Sequence, residues 1–260
     1  MNKQTLLFKP KKCGGFKKSP LYAVDMFMNT IGLCSKYLLH GLYQSMDRKT
    51  TDEYIEVFWR IHFQKSHTRL YATGREYLNP GEAYIFMSNH ESWMDIPAIF
   101  GAVPSSLRMV AKVGLTKIPV FGHALINAGF VAIDRKNRTM AIKQLEEAKK
   151  RLDEGISIWI APEGTRTRDG SIGAFKKGGF YLARELKKSI VPVYIEGAAE
   201  VMPADSMVVR PNRSITVHFC PPVSYHEYIE LNRAQLIERV RSAIINKRIE
   251  LEQKAREAKQ

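Results

Sequence analysis

Cysteine is scarce in this chain of 260 residues, which holds only Cys13, Cys34 and Cys220. Three widely spaced cysteines make neither a metal-ligand motif nor a redox motif, and they favour a reducing compartment. Acidic residues are also few, since the chain has 26 of them and 40 lysines and arginines. The formal net charge of +14 indicates an anionic partner, which could be nucleic acid, anionic lipid or a phosphorylated substrate.

A long uninterrupted apolar run is missing too. The best candidate, Leu21–Met46, includes Asp25, Lys36 and His40, and each is costly at the centre of a bilayer. We therefore predict no transmembrane helix, and no secretory signal, since the lysine-rich start lacks an adjacent apolar segment and a cleavage site. The hydrophobic content of 45% predicts a globular protein with a substantial core.

The first 66 residues have the pattern of two lopsided helices behind a basic segment. In Leu21–Met46 and in Thr51–Ser66 the strongly polar residues fall on one narrow stripe of a helical wheel. Such helices suit a membrane interface, with aromatic residues at headgroup depth, or a hairpin buried in the protein's own core. The lysines ahead of them would attract an anionic membrane: Lys3, Lys9, Lys11, Lys12, Lys17 and Lys18. We predict an amphipathic two-helix membrane-interface motif over residues 1–66 and a catalytic domain over residues 67–260.

From about residue 67 onward, short apolar runs alternate with amphipathic stretches. The predicted strands are Thr68–Gly74, Ala83–Ser88, Leu107–Lys112, Gly129–Ile133, Ile156–Ala161, Ile190–Ile195 and Ser214–Phe219. A helix is predicted between Asn137, which can cap it, and Gly155, which can end it. This alternation predicts an α/β fold with a central, largely parallel mixed sheet flanked by helices. Functional sites of such sheets gather at the carboxyl ends of the strands.

The stretch SNHESWMD, which ends at Asp95, follows the second predicted strand. On one continuous helix His90 and Asp95 would point about 140° apart, so they can meet only if the backbone turns between them. We predict that His90 lies on the strand-to-helix loop and that Ser92 caps a helix starting near Trp93. Asp95 could then fix the imidazole tautomer and leave the other ring nitrogen as a general base. The alternative is an ordinary surface histidine near a helix carboxylate.

Two later stretches are rich in positive charge. The loop PEGTRTRDG after the fifth predicted strand carries Arg166 and Arg168, whose guanidinium groups could clamp a phosphate. Lys176 and Lys177 precede two glycines that open a helix, a favourable place for an anion. Either stretch could also be an ordinary solvated turn or a basic helix start.

Together these stretches resemble the glycerolipid acyltransferase superfamily, and within it the 1-acyl-sn-glycerol-3-phosphate acyltransferases, or PlsC family. The motifs follow the family's order over roughly residues 66 to 225: NHESWMD, Lys112 with IPVFG (Ile118–Gly122) and IDR (Ile133–Arg135), APEGTR (Ala161–Arg166), and IVPV (Ile190–Val193). Four motifs in order are far more specific than one. Ala161 departs from the pattern, since the family usually has an aromatic residue there.

The resemblance implies acyl transfer from acyl-ACP or acyl-CoA to the sn-2 hydroxyl of 1-acyl-glycerol-3-phosphate (lysophosphatidic acid), giving phosphatidic acid without a metal or an organic cofactor. His90 and Asp95 would be the catalytic dyad, and the substrate's hydroxyl the nucleophile. The other implied roles are phosphate binding by Arg166, Lys112 and Arg135, loop organisation or acceptor contact by Glu163, Gly164 and Thr165, and a possible acyl pocket at Ile118, Pro119, Phe121 and Gly122. The enzyme would sit on an anionic phospholipid membrane, at the cytoplasmic face of the cell's inner membrane.

Other functions remain open at this point. A basic membrane- or RNA-binding module would explain the charge but not four separated motifs, so we expect no nucleic-acid partner. A thioester hydrolase or a phospholipid transacylase would share the motifs. An oxyanion donor is needed for acyl transfer, and we expect it among the backbone N–H groups of the His90 loop or of Pro162–Thr165.

Overall fold

The computed structural model describes residues 4–11, 20–133 and 138–258, with side chains except at residues 133 and 138–145. Within these residues an eight-stranded sheet forms the centre of the fold. Its strands are β1 (Thr5–Phe8), β2 (Arg69–Thr73), β3 (Ile85–Ser88), β4 (Leu107–Lys112), β5 (Val131–Ile133), β6 (Ser157–Ile160), β7 (Ile190–Glu196) and β8 (Ser214–Phe219). Their spatial order is β1-β2-β8-β7-β3-β6-β4-β5. The strands from β7 to β5 run parallel, whereas β8 and β2 run the other way, which confirms the predicted largely parallel mixed sheet.

Helices cover both faces of this sheet. They are α1 (Leu21–Tyr43), α2 (Arg48–Lys65), α3 (Asp95–Ala102), α4 (Val113–Thr116), α5 (Phe121–Asn127), α6 (Arg138–Asp153), α7 (Lys177–Leu186), α8 (Ala198–Val201), α9 (Tyr225–Tyr228) and α10 (Arg233–Glu257). Every predicted strand is present with bounds shifted by two residues or fewer. The predicted cap of α6, Asn137, lies outside the described residues.

Strand β3 shows how one short segment serves two cores. Successive side chains of a strand point to opposite faces. Phe86 therefore packs in the cluster shared with α2 and α3, while Ile85 and Met87 pack in the cluster shared with α7 and α10. With both faces covered, a parallel strand has to be apolar throughout. This explains why the run before the His90 loop reads as continuously hydrophobic.

The N-terminal helices share the first of these cores. Trp59 and Phe63 of α2 are buried against Leu70 of β2, and β1 pairs antiparallel with β2. The predicted boundary at residues 66 and 67 falls between α2 and β2, but the described part of the N-terminal region and the sheet form one continuous core. Trp59 therefore packs inside the protein, and its ring does not lie at the depth of lipid headgroups as we predicted for the aromatic residues.

Helix α1 has a second, outward apolar face. Leu21 is 74% exposed and Leu42 is 76% exposed, and Phe27 and Met28 are also exposed. Two of the predicted N-terminal lysines, Lys9 and Lys11, are described and exposed, and the other four lie outside the described residues. In the described ranges, no helix has both the length and the hydropathy that crossing a membrane requires.

Candidate active site

The loop after β3 is fixed by side-chain contacts to two neighbouring strands. Asn89 accepts from the N–H of Ile195 at 2.8 Å and donates to the carbonyl of Ile195 at 3.0 Å, which ties the loop to β7. Trp159 Nε1 of β6 donates to Ser88 Oγ at 2.9 Å. His90 therefore leaves the sheet at the carboxyl end of β3, where a parallel sheet offers its sites.

The turn differs in detail from the predicted one. Helix α3 begins at Asp95, two residues later than expected, and Met94 stands at its N-cap position. Ser92 Oγ accepts from the N–H of Met94 at 3.0 Å, so it closes the turn before the helix and does not cap the helix itself. Its hydroxyl also donates to the carbonyl of Met202 at 2.6 Å, which anchors the turn.

The structure brings His90 and Asp95 together. His90 Nδ1 lies 2.8 Å from Asp95 Oδ2, and the same oxygen accepts from the N–H groups of Glu91 at 2.8 Å and Ser92 at 2.9 Å. The Asp95 side chain is fully buried, whereas 18% of the His90 side chain is exposed. Because an ionised carboxylate only accepts, this network assigns the proton to Nδ1. The other ring nitrogen, Nε2, is then free to accept a proton from a substrate.

Glu163 holds the backbone of His90. Its Oε1 accepts from the N–H of His90 at 2.9 Å, and its Oε2 accepts from the N–H of Gly173 at 2.8 Å. The N–H of Thr167 donates to the carbonyl of His90 at 2.9 Å, so the loop carrying Glu163 grips His90 on both sides. Burial raises the pKa of Glu163, and the N–H bonds from Gly173 and His90 act in the opposite direction.

Glu91 is a second carboxyl group in this loop, half-buried, and our sequence-based prediction missed it. Burial raises its pKa to about 7, with Asp95 and Glu163 adding to the rise, while the hydrogen bond from Asn89 and the charge of Arg248 lower it. Asn89 Nδ2 lies 3.0 Å from Glu91 Oε1. In the sequence, only the position of Glu91 between His90 and Asp95 could have pointed to it, and a residue in such a short connecting turn usually faces solvent.

His90 opens into a groove of about 670 Å³, called here the His90 groove. Lys112, Lys117 and Lys176 line it, and none of the three forms an ion pair within the described residues. Gly164 and Thr165 lie on its wall. The groove therefore combines a candidate base with unneutralised positive charge, which suits an anionic substrate.

Two apolar cavities adjoin this groove. The inner apolar cavity, of about 90 Å³, lies between α1, α2, α3 and α5, and it shares Ile96 and Met109 with the groove. The outer apolar cavity, of about 260 Å³, is lined by Phe27 and Met207 and shares Leu115 with the groove. Hydrocarbon in either cavity could thus stay out of water close to the His90 groove.

The predicted phosphate ligands do not lie in one place. Arg166 is exposed at the edge of the outer apolar cavity, Lys112 lines the His90 groove, and Arg135 lies outside the described residues. The outer apolar cavity and the His90 groove share a wall at Leu115, so one amphiphile could reach both Arg166 and Lys112.

The residues predicted for an acyl pocket also divide into two kinds. Phe121 lines both apolar cavities and Ile118 lines the outer one. Pro119 and Gly122 instead shape a tight turn, in which the N–H of Phe121 donates to the carbonyl of Pro119 at 2.7 Å. A Cβ on Gly122 would lie 2.2 Å from the carbonyl oxygen of Thr116, so only glycine fits there.

Hydrogen bonding narrows the choice of an oxyanion donor. In the His90 loop the N–H groups of His90, Glu91 and Ser92 already donate to carboxylates. The N–H of Gly164 donates to Ala161 at 3.0 Å. Of the predicted Pro162–Thr165 segment this leaves the N–H groups of Glu163 and Thr165, which have no acceptor in the part of the chain that is described, and of these two residues only Thr165 lines the His90 groove. The described residues also contain no cluster of His, Cys, Asp or Glu suited to a metal ion.

Comparison with known proteins points to one family. A family model described as Acyltransferase matches residues 69–196. A chloroplast 1-acyl-sn-glycerol-3-phosphate acyltransferase of Arabidopsis thaliana is 30% identical over 139 residues, which cover 54% of this chain and 39% of that protein. A 1-acyl-sn-glycerol-3-phosphate acyltransferase of Chlamydomonas reinhardtii is 26% identical over 242 residues, covering 92% of this chain and 70% of that protein.

The fold has a similar solved relative. The crystal structure of the 1-acyl-sn-glycerophosphate (LPA) acyltransferase PlsC from Thermotoga maritima superposes with a TM-score of 0.73 and 25% identity, over 90% of this chain and 94% of that one. The match to the Arabidopsis protein, by contrast, spans about two fifths of that protein's length. The motif order, the sheet and these relatives agree: residues 69–196 match the Acyltransferase family model, and the chain is similar to the 1-acyl-sn-glycerol-3-phosphate acyltransferases.

Proposed function

We propose that the protein transfers a fatty acyl group from an acyl thioester to the sn-2 hydroxyl of lysophosphatidic acid, giving phosphatidic acid. The observation that carries this proposal is the buried Asp95 holding His90 at the head of a lysine-lined groove flanked by two apolar cavities. Relatives named for this reaction support it. Acyl-ACP and acyl-CoA both fit as donors, because they present the same thioester.

The mechanism needs one base and one pair of substrates. His90 Nε2 accepts the proton of the sn-2 hydroxyl while the hydroxyl oxygen attacks the thioester carbonyl carbon. Asp95 keeps Nδ1 protonated and stabilises the imidazolium that forms. The C–S bond then breaks, and the imidazolium returns its proton to the leaving thiolate. The N–H of Thr165 is the proposed donor to the oxyanion of the tetrahedral intermediate.

The acceptor has a charged phosphate and an apolar acyl chain, and the site offers cations for the phosphate and apolar cavities for the chain. Arg166 has the planar fork that matches a phosphate, and Lys112 adds a second positive charge across the wall at Leu115. Arg135 remains a candidate for support. Glu163 accepts a hydrogen bond from the backbone N–H of His90 and so holds its loop in place, and Gly164 and Thr165 line the His90 groove.

We propose a monotopic position for the protein on the cytoplasmic face of the inner membrane. Phe27, one of the exposed apolar side chains of α1, lines the outer apolar cavity. A lysophospholipid could then pass from the bilayer to Arg166 without exposing its chain to water. The basic N-terminal segment would add electrostatic attraction to anionic lipid.

The test is a thiol-release assay on the purified chain. An acyl thioester is supplied with and without lysophosphatidic acid, and phosphatidic acid is measured as the product. We expect acceptor-dependent thiol release, and a loss of at least about 10²-fold in turnover for His90→Ala. His226→Ala, at a histidine outside the site on α9, serves as the control. Thiol release without acceptor would indicate a hydrolase, and near-native turnover of His90→Ala would refute the mechanism.

A further inference from the structure

The C-terminal helix α10 reaches back to the loop that holds His90, although it lies outside the segment that the family model matches. Its Arg241 donates from Nε to the carbonyl of Gly173 at 3.0 Å and from Nη2 to the carbonyl of Ile172 at 2.9 Å. Farther along the helix, Arg248 donates from Nη1 to the carbonyl of Gly170. Two guanidinium groups thus grip one short stretch of the loop.

The grip continues as a chain of hydrogen bonds toward His90. The carbonyl of Gly173 accepts a hydrogen bond from Arg241, and the N–H of Gly173 donates to Glu163 Oε2 at 2.8 Å. The other oxygen of Glu163 accepts from the N–H of His90 at 2.9 Å. The Glu163 side chain is buried, so water does not compete for these positions. Only one residue and one carboxylate separate Arg241 from the backbone of His90.

The space around Gly173 shows how little freedom this chain of contacts has. A Cβ at this position would lie 2.8 Å from Glu163 Oε2. Ile172, next to it, is buried in the core that α10 shares with α7. The loop is also closed at its base, where the N–H of Lys176 donates to the carbonyl of Pro162 at 2.8 Å. A shift of Gly173 therefore has to move Glu163 and, with it, His90.

We propose that Arg241 is a positioning residue of the active site: through Gly173 and Glu163 it sets the place of the His90 backbone. This inference rests on the proposed acyl transfer. The two charge-assisted bonds of Arg241 hold the loop more rigidly than a lysine could, since an ammonium is a point charge without a fork. A general base must stand within hydrogen-bond reach of its proton, and a misplacement of about 1 Å can cost about 10²-fold in rate.

Arg184 provides a matched control. In the last turn of α7, it donates to the carbonyls of Leu231 and Ile229, each at 2.9 Å, which is the same type of contact made with a segment away from His90. Arg241→Met should lower kcat at least about tenfold relative to Arg184→Met at a similar urea midpoint. Arg241→Lys should fall between wild type and Arg241→Met.

Gly173→Ala approaches the same chain of contacts from the other side. Its methyl group should displace the Glu163 carboxylate and lower kcat in the same direction. If both changes act through Glu163, the double variant should be no slower than the slower single variant. A kcat for Arg241→Met within about twofold of the Arg184→Met value would overturn the proposal, as would independent, multiplying losses in the double variant.

Nuclear magnetic resonance of the histidine rings separates this proposal from the proposed function. The His90 signals are assigned by their loss in His90→Ala. Arg241→Met and Gly173→Ala should shift them, and Arg184→Met should leave them in place. If the wild-type chain shows no acyl transfer, the proposed function fails and these shifts alone decide the structural link. Unshifted His90 signals in Arg241→Met would overturn it.

Discussion

Replacing Asp95 with asparagine should remove a charge and leave the geometry of the dyad unchanged. Asp95 Oδ2 accepts three hydrogen bonds, from His90 Nδ1 and from the N–H groups of Glu91 and Ser92. Its other oxygen, Oδ1, is buried and has no hydrogen-bond partner among the described residues. The amide oxygen of asparagine should therefore take the place of Oδ2, because the amide NH₂ would face three donors there. His90 should keep its Nδ1–H tautomer.

The cost should then appear in catalysis, because the imidazolium loses its counter-charge. Unit charges about 4 Å apart interact by about 4 kcal/mol at an effective dielectric constant of about 20. Since about 1.4 kcal/mol corresponds to a tenfold change in rate, this interaction sets an upper limit of about 10³-fold. Part of it is offset by the solvent that reaches His90, so we expect kcat for Asp95→Asn to fall by about 10²–10³-fold.

Two measurements check this expectation. Steady-state thiol release gives kcat for wild type, Asp95→Asn and Asp95→Ala, and nitrogen-15 spectra of the His90 ring report its tautomer. Asp95→Ala, which loses all three hydrogen bonds, should also lower the urea midpoint. A fall in kcat of less than about tenfold in Asp95→Asn would show that the charge is not used. A change of tautomer would refute the predicted amide orientation.

Three further predictions concern the acceptor site, the pH dependence of stability and the membrane face. Arg166→Lys keeps the charge but loses the fork, so kcat/KM for varied lysophosphatidic acid should fall about tenfold; an unchanged value would move the phosphate site elsewhere. Burial raises the pKa of Glu91 from 4.5 to about 7, so the folded state favours the protonated carboxyl group. The free energy of unfolding should therefore fall as the pH rises from about 4.5 to about 7. Glu91→Gln should therefore raise the urea midpoint at about pH 8 and make little difference near about pH 4, and a pH-independent gap would contradict this. The double variant Phe27→Asp/Met28→Asp on α1 should float less with anionic vesicles than wild type, and Ile249→Asp on α10 should float as wild type does. Equal flotation of wild type and both variants would count against the membrane face.

Residues 1–66 cannot simply be deleted to test membrane binding, because part of this segment belongs to the folded core. Deleting residues 1–66 would remove β1, which pairs with β2, and would open the core around Trp59 and Phe63. A truncated chain that failed to float could simply be unfolded. Exposed side chains of α1 can be changed without touching that core.

Periodic patterns predicted the sheet well, because a strand covered on both faces must be apolar along its whole length. Strand β1 escaped prediction because four residues at the edge of a sheet carry little pattern, and the lysines around Thr5–Phe8 suggested a membrane-binding tail. The His90–Asp95 contact could be anticipated, since a short spacer and a turn bring the two residues together.

Contacts between distant segments could not be anticipated in this way. Arg241 and Gly173 lie 68 residues apart, and no local rule relates a helix arginine to the carbonyl groups of a loop. The same limit explains why Arg166 and Lys112 were expected together and lie on two sides of Leu115. Residue types indicated that phosphate binding was plausible, but only the packed fold shows which cavity each cation lines.

The pairing of β2 with β8 has a consequence for synthesis on the ribosome. Arg69 pairs with Ser214, 145 positions later, so the sheet cannot close until most of the chain has been made. At about 5–20 residues per second, β2 waits about 7–30 s for its partner. Throughout that delay Trp59 and Phe63 lack the cover that β8 helps to provide, next to the outward apolar face of α1. A nascent chain with so much exposed hydrocarbon should be held by a lipid surface or a chaperone before its active site exists, so folding would be completed in contact with that surface or chaperone.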